Sequence, residues 1–193
     1  MNTILAYWYL KLQALVLLVF GKQLVALEKF DQMLVLRPGD RYALASRAHV
    51  LAQEGDKHGA IAALRLLAQL CPDNAAAWFN LAYMLEDIGG HADAEPAFRR
   101  ALDIEPKMDR AWYGLALLLI RDRRFDEAVQ ALKKNTELQP MSPFGWYQLA
   151  RVHVDRQDPD EAVKVIRHLK RFEPKVAAQL ERETGLRAAA QSS

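Results

Sequence analysis

Apolar residues along this chain recur with the spacing of amphipathic helices, and the helical patterns come in pairs. The stretch AAAWFNLAYMLEDIGG ends in two glycines, which commonly stop a helix. Its apolar residues fall on one side of a helix: Trp78, Leu81, Ala82 and Leu85. A second helical pattern follows and ends at a proline, which a helix interior does not tolerate. The pattern therefore predicts a helical hairpin closed by proline.

This hairpin pattern recurs every 34 residues. Each copy ends at a proline: Pro38, Pro72, Pro106, Pro140 and Pro174. Two columns are alanine in all five copies: Ala14, Ala48, Ala82, Ala116 and Ala150, then Ala26, Ala60, Ala94, Ala128 and Ala162. Small side chains at a fixed place are typical of points where two helices cross closely. A period of this length predicts stacked hairpins, that is, an all-α solenoid.

A third column lies between the two helices of each hairpin. It holds glycine in the first three copies and larger residues in the last two: Gly21, Gly55, Gly89, Arg123 and Gln157. Glycine at this place predicts the end of the first helix.

The spacing of these columns resembles the tetratricopeptide repeat (TPR). One copy fills the family pattern without departure: Trp78, Leu81, Ala82, Leu85, Ala94, Phe98, Ala101 and Pro106. Other copies carry single polar residues at places that are usually apolar: Gln13, Arg47, Asn135 and His153. The resemblance covers residues 7 to 176 and implies a right-handed α-solenoid of about five TPR hairpins plus a C-terminal capping helix.

The predicted organisation has three parts. Residues 1–40 form an atypical first TPR with a very hydrophobic N-terminal helix, and residues 41–176 form four further TPRs. Residues 177–193 form a capping helix and tail, and the helix is expected to end near residue 188, because terminal repeats of a solenoid need a polar outer side.

The resemblance also implies a concave surface, lined by the first helices of successive repeats, that binds segments of partner proteins. Ten residues are predicted to line it: Tyr42, His49, Phe79, Asn80, Tyr83, Arg110, Tyr113, Leu117, Tyr147 and Arg151. Aromatic side chains with scattered arginine are typical of binding hot spots. The alternative interpretation is that these aromatic residues fill the tight inner curve of the solenoid.

The expected ligand of that surface is an amphipathic helix or an extended apolar segment. Some TPR proteins grip a terminal carboxylate with a clamp of Lys, Asn and Arg side chains. Asn80 and Arg110 correspond to two clamp positions, but the remaining places hold Ala45, His49 and Gly114. A carboxylate clamp is therefore not expected.

Residues 4 to 20 are apolar nearly all round, and a helix of that kind must be covered on every side. Six side chains are predicted to meet its cover: Leu5, Trp8, Leu12, Leu15, Leu18 and Val19. Three interpretations stay open: a membrane contact, spanning or interfacial; burial in a homodimer or a partner protein; or a merely hydrophobic terminal repeat. The short length and Lys11 count against a spanning helix. The basic residues after the run favour a cytoplasmic location, with the cytoplasmic face of the inner membrane as one option.

Composition and motif searches narrow the class of function. The chain has 193 residues and a net charge of +2, without the basic stripe of a nucleic-acid-binding protein. Cys71 is its single cysteine, so an intrachain disulfide is excluded. The sequence carries no phosphate-binding glycine loop, no metal-binding histidine pair and no nucleophile motif. We therefore expect no enzymatic activity, no cofactor and no metal ion.

These patterns predict a non-enzymatic adaptor or scaffold. It would bind a partner segment in a concave aromatic groove and attach to a membrane or a larger complex through its N-terminal helix. A soluble TPR chaperone for export or assembly substrates is the alternative prediction.

Overall fold

The computed structural model describes residues 3–188, and over that range it contains eleven α-helices and no strand. The predicted all-α class is therefore confirmed. The helices are α1 (Thr3–Val19), α2 (Gln23–Leu36), α3 (Arg41–Gln53), α4 (Lys57–Leu70), α5 (Ala75–Asp87), α6 (His91–Ile104), α7 (Asp109–Arg121), α8 (Phe125–Leu138), α9 (Pro143–Asp155), α10 (Pro159–Lys170) and α11 (Pro174–Thr184).

The first ten helices pair as five hairpins, in which each odd-numbered helix packs against the next helix. Three residues join the helices within every hairpin, and four residues separate one hairpin from the next. The chain divides into two compact units, Met1–Glu105 with α1 to α6 and Pro106–Ser193 with α7 to α11.

Both alanine columns lie in the interior. Each of their ten members is at most 2% exposed. A larger side chain there would hold the two helices of a hairpin apart, because helices that approach closely need small residues at the crossing. The alanine columns thus set the spacing of the helices that carry the surface residues.

The turn inside every hairpin contains one residue with a left-handed backbone. The five residues are those of the third sequence column, with φ of 66° at Gly21, 86° at Gly55, 80° at Gly89, 59° at Arg123 and 60° at Gln157. This conformation ends the first helix and turns the chain into the second. The turn geometry is therefore kept even where glycine is absent.

Three tryptophans connect the first helix of a hairpin to the turn that precedes it. The indole N–H of each donates to a proline carbonyl six residues earlier: Trp78 to Pro72 at 3.2 Å, Trp112 to Pro106 at 2.9 Å and Trp146 to Pro140 at 2.9 Å. A hydrogen bond of this kind contributes on the order of 1 kcal/mol. It orients the start of α5, α7 and α9.

Polar contacts accommodate two departures from the TPR pattern. The Arg47 Nε atom donates to Asp31 Oδ1 at 2.7 Å, so the guanidinium of α3 reaches the carboxylate of α2. Asn135 is buried on α8, and its Nδ2 atom donates to the Asp109 carbonyl at 3.0 Å. Its amide faces Gly145, where a Cβ atom would lie 2.1 Å from the Asn135 Oδ1 atom. The glycine therefore makes room for the buried amide.

One side of α1 packs into the core of the first unit. Tyr7 and Ala14 are buried in a cluster with residues of α2 and α3. The Tyr7 hydroxyl donates to Asp40 Oδ2 at 2.9 Å, and Asp40 Oδ1 accepts from the Ala43 N–H at 2.8 Å as the N-cap of α3. Burial, followed by the hydrogen bond to Asp40, raises the pKa of Tyr7 to about 12. These contacts hold α1 to the start of the second hairpin.

The helix expected over residues 177 to about 188 is α11, which begins three residues earlier and ends four residues earlier. It starts at Pro174 because proline fits the first helical position, where its missing N–H has no partner to lose. It ends because Gly185 takes a left-handed conformation, with φ of 72°. The tail over 189–193 lies outside the described residues.

Candidate binding surfaces

The ten predicted groove residues are divided between the two units. The first unit holds one set on α3 and α5: Tyr42, His49, Phe79, Asn80 and Tyr83. The second unit holds the other set on α7 and α9: Arg110, Tyr113, Leu117, Tyr147 and Arg151. Each set comes from the first helices of two successive hairpins, as the repeat pattern requires.

A cavity of about 300 Å³ lies in the first unit among α3, α4 and α5. Small and apolar side chains form most of its lining: Ala45, Ala48, Ala52, Leu64, Leu67, Ala76, Ala77 and Met84. The polar lining residues are His49, Asn74, Asn80 and Tyr83, and Asn74 also caps α5 by accepting from the Ala77 N–H. A cavity of about 150 Å³ can hold benzene, so this one has room for a large apolar side chain.

The charge of this lining limits what it can bind. Within the part of the chain that the structure describes, no Asp, Glu, Lys or Arg lines the cavity. Burying a charged group there would leave it without a partner, which is costly. The cavity therefore suits an uncharged apolar side chain, with His49, Asn80 and Tyr83 available for hydrogen bonds at its edge.

Three predicted groove residues line the cavity, namely His49, Asn80 and Tyr83. Phe79 lies beside it instead, with its ring centroid 6.4 Å from that of Tyr83 and 6.1 Å from that of Phe98. Phe79 is half-buried by this packing, whereas Tyr83 is 54% exposed. Tyr83 is thus the exposed aromatic residue of the pair.

Tyr42 lies apart from the cavity lining and packs against the first hairpin. Its ring meets Phe30 edge-on, with centroids 6.2 Å apart. The Nζ atom of Lys11 lies 4.0 Å from the centroid of the Tyr42 ring and 5.2 Å from that of Trp8. A cation over an aromatic face is attracted by the ring. Tyr42 thus contacts α1 and α2 of its own chain, and its role in a groove stays a prediction.

In the second unit, Tyr147 and Arg151 meet a carboxylate of α11. The Tyr147 hydroxyl donates to Glu183 Oε2 at 2.6 Å, and Arg151 Nη1 lies 3.3 Å from the Tyr147 hydroxyl and 3.7 Å from Glu183 Oε2. Hydrogen bonds from Tyr147 and then Gln179 lower the pKa of Glu183. The hydrogen bond to Tyr147 is the main cause that raises the pKa of Arg151.

Sequence reasoning missed Glu183 as the partner of these two groove residues. The repeat register offers one signal: Glu183 stands nine residues after a proline, where three earlier copies carry leucine: Leu81, Leu115 and Leu149. A carboxylate in that column marks the departure of α11 from the repeat. The other three predicted residues of this unit share one side of α7, where Arg110 is exposed and Tyr113 and Leu117 are half-buried.

A second candidate surface is the exposed side of α1. We call it the α1 stripe and define it as Leu5, Trp8, Leu12, Leu15 and Val19, which are 43% to 83% exposed. Four more exposed apolar residues flank it: Ile4, Tyr9, Val16 and Phe20. Leu18, the sixth residue predicted for this surface, packs against the core cluster of the first unit. Over residues 3–188, no helix combines the length and the apolar content needed to cross a membrane.

Within the described range, no three His, Cys, Asp or Glu side chains form a group that could hold a metal ion. His49 belongs to the cavity lining, His153 is buried in α9, and the Cys71 thiol is free and buried. Of these three side chains, His49 alone lines a candidate binding surface.

Comparison with known proteins shows which family and which solved structures this chain resembles. The sequence matches the family model of the tetratricopeptide repeat over residues 11–75, 46–109 and 85–143. No curated protein sequence matches the chain.

Three solved structures have the same fold. The MamA protein has a TM-score of 0.80 at 19% identity, covering 97% of this chain and 98% of MamA. YrrB, a TPR protein with an unusual peptide-binding site, has a TM-score of 0.77 at 17% identity over 88% of both chains. PilF of Pseudomonas aeruginosa has a TM-score of 0.69 at 18% identity over 95% of this chain and 92% of PilF. At these identities the likeness concerns the fold alone.

Proposed function

The chain belongs to the tetratricopeptide repeat family, and on that premise we propose that it is a non-enzymatic adaptor that binds a partner protein at the cavity among α3, α4 and α5. Proteins with the TPR fold are generally scaffolds for protein interactions. The observation that carries the proposal is the uncharged cavity, which three of the predicted groove residues line.

The chemistry of the cavity defines the partner segment. An amphipathic helix or an extended segment would insert one large apolar side chain against the alanines that line the cavity. Burial of apolar surface supplies the main driving force for such binding. His49, Asn80 and Tyr83 would meet polar groups beside that anchor. The peptide-binding site reported for YrrB, which shares this fold, supports a peptide ligand.

Photocrosslinking in the cell tests this proposal and identifies the segment. A photoreactive amino acid is placed at Ala45 in the cavity, and the matched control carries it at Ala62, an exposed residue of α4 outside the lining. The partner segment that crosslinks at residue 45 but not at residue 62 is then synthesised. Its affinity for the protein is measured by calorimetry. Ala45→Phe should fill the cavity and weaken binding at least about tenfold, which corresponds to about 1.4 kcal/mol. Equal binding by Ala45→Phe and Ala62→Phe would refute the proposal.

We propose in addition that the α1 stripe attaches the adaptor to a larger body. The proposed bodies are a protein complex, a second copy of the chain, or the cytoplasmic face of the inner membrane. The support is the exposure of the stripe, since a contiguous apolar surface of this kind marks an interaction site.

A soluble chaperone for export or assembly substrates is a second candidate, favoured by the same uncharged cavity. An apolar anchor site with few polar neighbours tolerates many sequences. The two functions differ in selectivity: an adaptor binds its segment and rejects a scrambled version, whereas a chaperone binds both with similar affinity. Suppression of the aggregation of an unfolded client by the wild-type chain, and its loss in Ala45→Phe, would favour the chaperone.

A further inference from the structure

We propose that the α1 stripe pairs with the α1 stripe of a second copy, so that the protein is a two-fold symmetric homodimer. The inference rests on the attachment role given to α1 in the proposed function, and it names the body to which α1 attaches. Three properties of α1 support it: the spacing of the stripe, its lack of charge and its area.

The spacing of the stripe is that of a helix-pairing surface. Its residues follow one another at intervals of three, four, three and four positions: Leu5, Trp8, Leu12, Leu15 and Val19. This alternation is the a/d pattern of coiled coils, in which each side chain inserts between four side chains of a facing helix. Two such heptads seldom form a stable helix pair alone. Here α1 is already formed, because its other side packs on α2 and α3.

The stripe and its flanks carry no charge. Lys11 is the single charged residue of α1, and it lies over the rings of Tyr42 and Trp8. Two copies that meet along the stripe would therefore bring one charged α1 residue each near the contact, Lys11, whose Nζ atom lies over rings of its own chain. A helix that lies on a membrane carries a polar face rich in Lys and Arg opposite its apolar face. In α1 the opposite side is the packed core, so the second copy fits better than a lipid surface.

The exposed apolar area is sufficient for a dimer. Nine large apolar side chains on this side of α1 are between 43% and 83% exposed. With about 150–250 Å² for each of the three aromatic side chains when fully exposed, and less for each of the six aliphatic ones, they offer roughly 1,000 Å² per copy. A standard stable interface buries about 800 Å² per partner. Phe20, which is one of these nine, lies just after the end of α1, and Leu24 at the start of α2 is also exposed, at 62%.

Two-fold symmetry gives this contact a defined centre. In an isologous interface the same patch serves both copies, so the contact closes at two copies and does not propagate. Leu12 is the middle residue of the stripe, and a two-fold axis through the centre brings the two Leu12 side chains near each other. The dimer would carry two copies of the cavity and bind a partner with two segments more tightly than one copy can, through a raised effective concentration.

The mass of the full chain in solution tests the proposal. Sedimentation equilibrium of the wild-type chain, without detergent, should give twice the chain mass of 21.9 kDa at about 10 μM, because interfaces of this size have dissociation constants of about 1 μM or lower. Leu12→Glu should raise the dissociation constant at least about 100-fold, because it places two carboxylates at the centre of the contact. Val35→Glu is the matched control: Val35 is 82% exposed on α2, outside the stripe, and its variant should stay dimeric.

A charge-pairing experiment distinguishes variants that have lost the dimer interface from variants that have misfolded. An equal mixture of Leu12→Glu and Leu12→Lys should form heterodimers while each variant alone is monomeric. A misfolded variant would not regain a specific partner in this way. Circular dichroism should show the same helicity in all variants.

Two outcomes would overturn the inference. The first is a monomeric wild-type chain at about 100 μM, and the second is a dimer that Leu12→Glu leaves intact. If that monomer sediments with vesicles of phosphatidylcholine and phosphatidylglycerol, and Leu12→Glu abolishes this, the stripe binds lipid. The affinity of the crosslinked segment for the cavity is measured separately, so either failure leaves the test of the adaptor function intact.

Discussion

The Nδ1 atom of His153 lies 3.6 Å from the Oδ2 atom of Asp158, and His153 is 3% exposed. Among the residues that the structure describes, this nitrogen has no hydrogen-bond partner. In the four earlier copies of the repeat, leucine occupies the same place: Leu17, Leu51, Leu85 and Leu119. Burial lowers the pKa of His153, and the opposing effect of the Asp158 carboxylate is smaller.

The first prediction is a loss of stability in mild acid through His153. Its folded-state pKa lies below the ordinary value of 6.5, so folding favours the neutral imidazole. The stability it contributes is complete above pH 6.5 and falls as the pH drops through 6.5 toward the lower folded-state pKa. His153→Leu should be about 1–3 kcal/mol more stable than the wild-type chain at pH 5, because it removes an unsatisfied buried polar group.

Urea unfolding at pH 7.5 and pH 5 measures this difference. The matched control is His58→Leu, since His58 is exposed on α4. The control should lose as much stability between the two pH values as the wild-type chain. If His153→Leu loses as much as the control does, His153 is not the cause of the acid sensitivity.

The second prediction concerns the left-handed residues of the hairpin turns. A non-glycine residue in this conformation costs about 1–2 kcal/mol, and glycine avoids that cost while losing about 0.5–1 kcal/mol to unfolded-state entropy. Arg123→Gly and Gln157→Gly should therefore stabilise the protein by about 0.5–1 kcal/mol each.

Chemical denaturation checks both substitutions against Gln130→Gly, an exposed position inside α8. That control should destabilise by about 1 kcal/mol, because glycine is a poor helix former. A destabilisation of the same size at residues 123 and 157 would contradict the left-handed assignment.

The third prediction concerns the alanine columns. Ala82 and Ala116 are fully buried, one in each unit. Ala82→Leu and Ala116→Leu should each destabilise by about 1–3 kcal/mol, because extra methylene groups at a close helix crossing force the backbones apart. Ala62→Leu, at an exposed position of α4, should change stability by less than about 0.5 kcal/mol. Unchanged melting of both buried variants would contradict the role assigned to the columns.

The repeat and its helices could be predicted from sequence because their determinants recur at a fixed spacing. Proline, the turn residue and the two alanines each act locally, and five copies of each make the pattern unambiguous. Membership of the TPR family follows from the same columns and is confirmed by the family match.

The contacts of individual surface residues could not be predicted in this way. Lys11 lies over Tyr42 because a long, flexible side chain follows its partners in space, which spacing does not report. Glu183 reaches Tyr147 from a helix that has left the repeat pattern. The cavity is a space left by small side chains on three helices, and a sequence pattern describes side chains rather than the gaps between them.

The hydrogen bonds between tryptophan side chains and proline carbonyls place intrinsic fluorescent probes at defined points of the chain. Trp78, Trp112 and Trp146 report on the starts of α5, α7 and α9, and Trp8 reports on the exposed side of α1. Chains that retain a single tryptophan would separate their emission signals. Heating such chains would show whether the start of α5, α7 or α9 loses its structure first, and dilution would show when Trp8 becomes exposed to water.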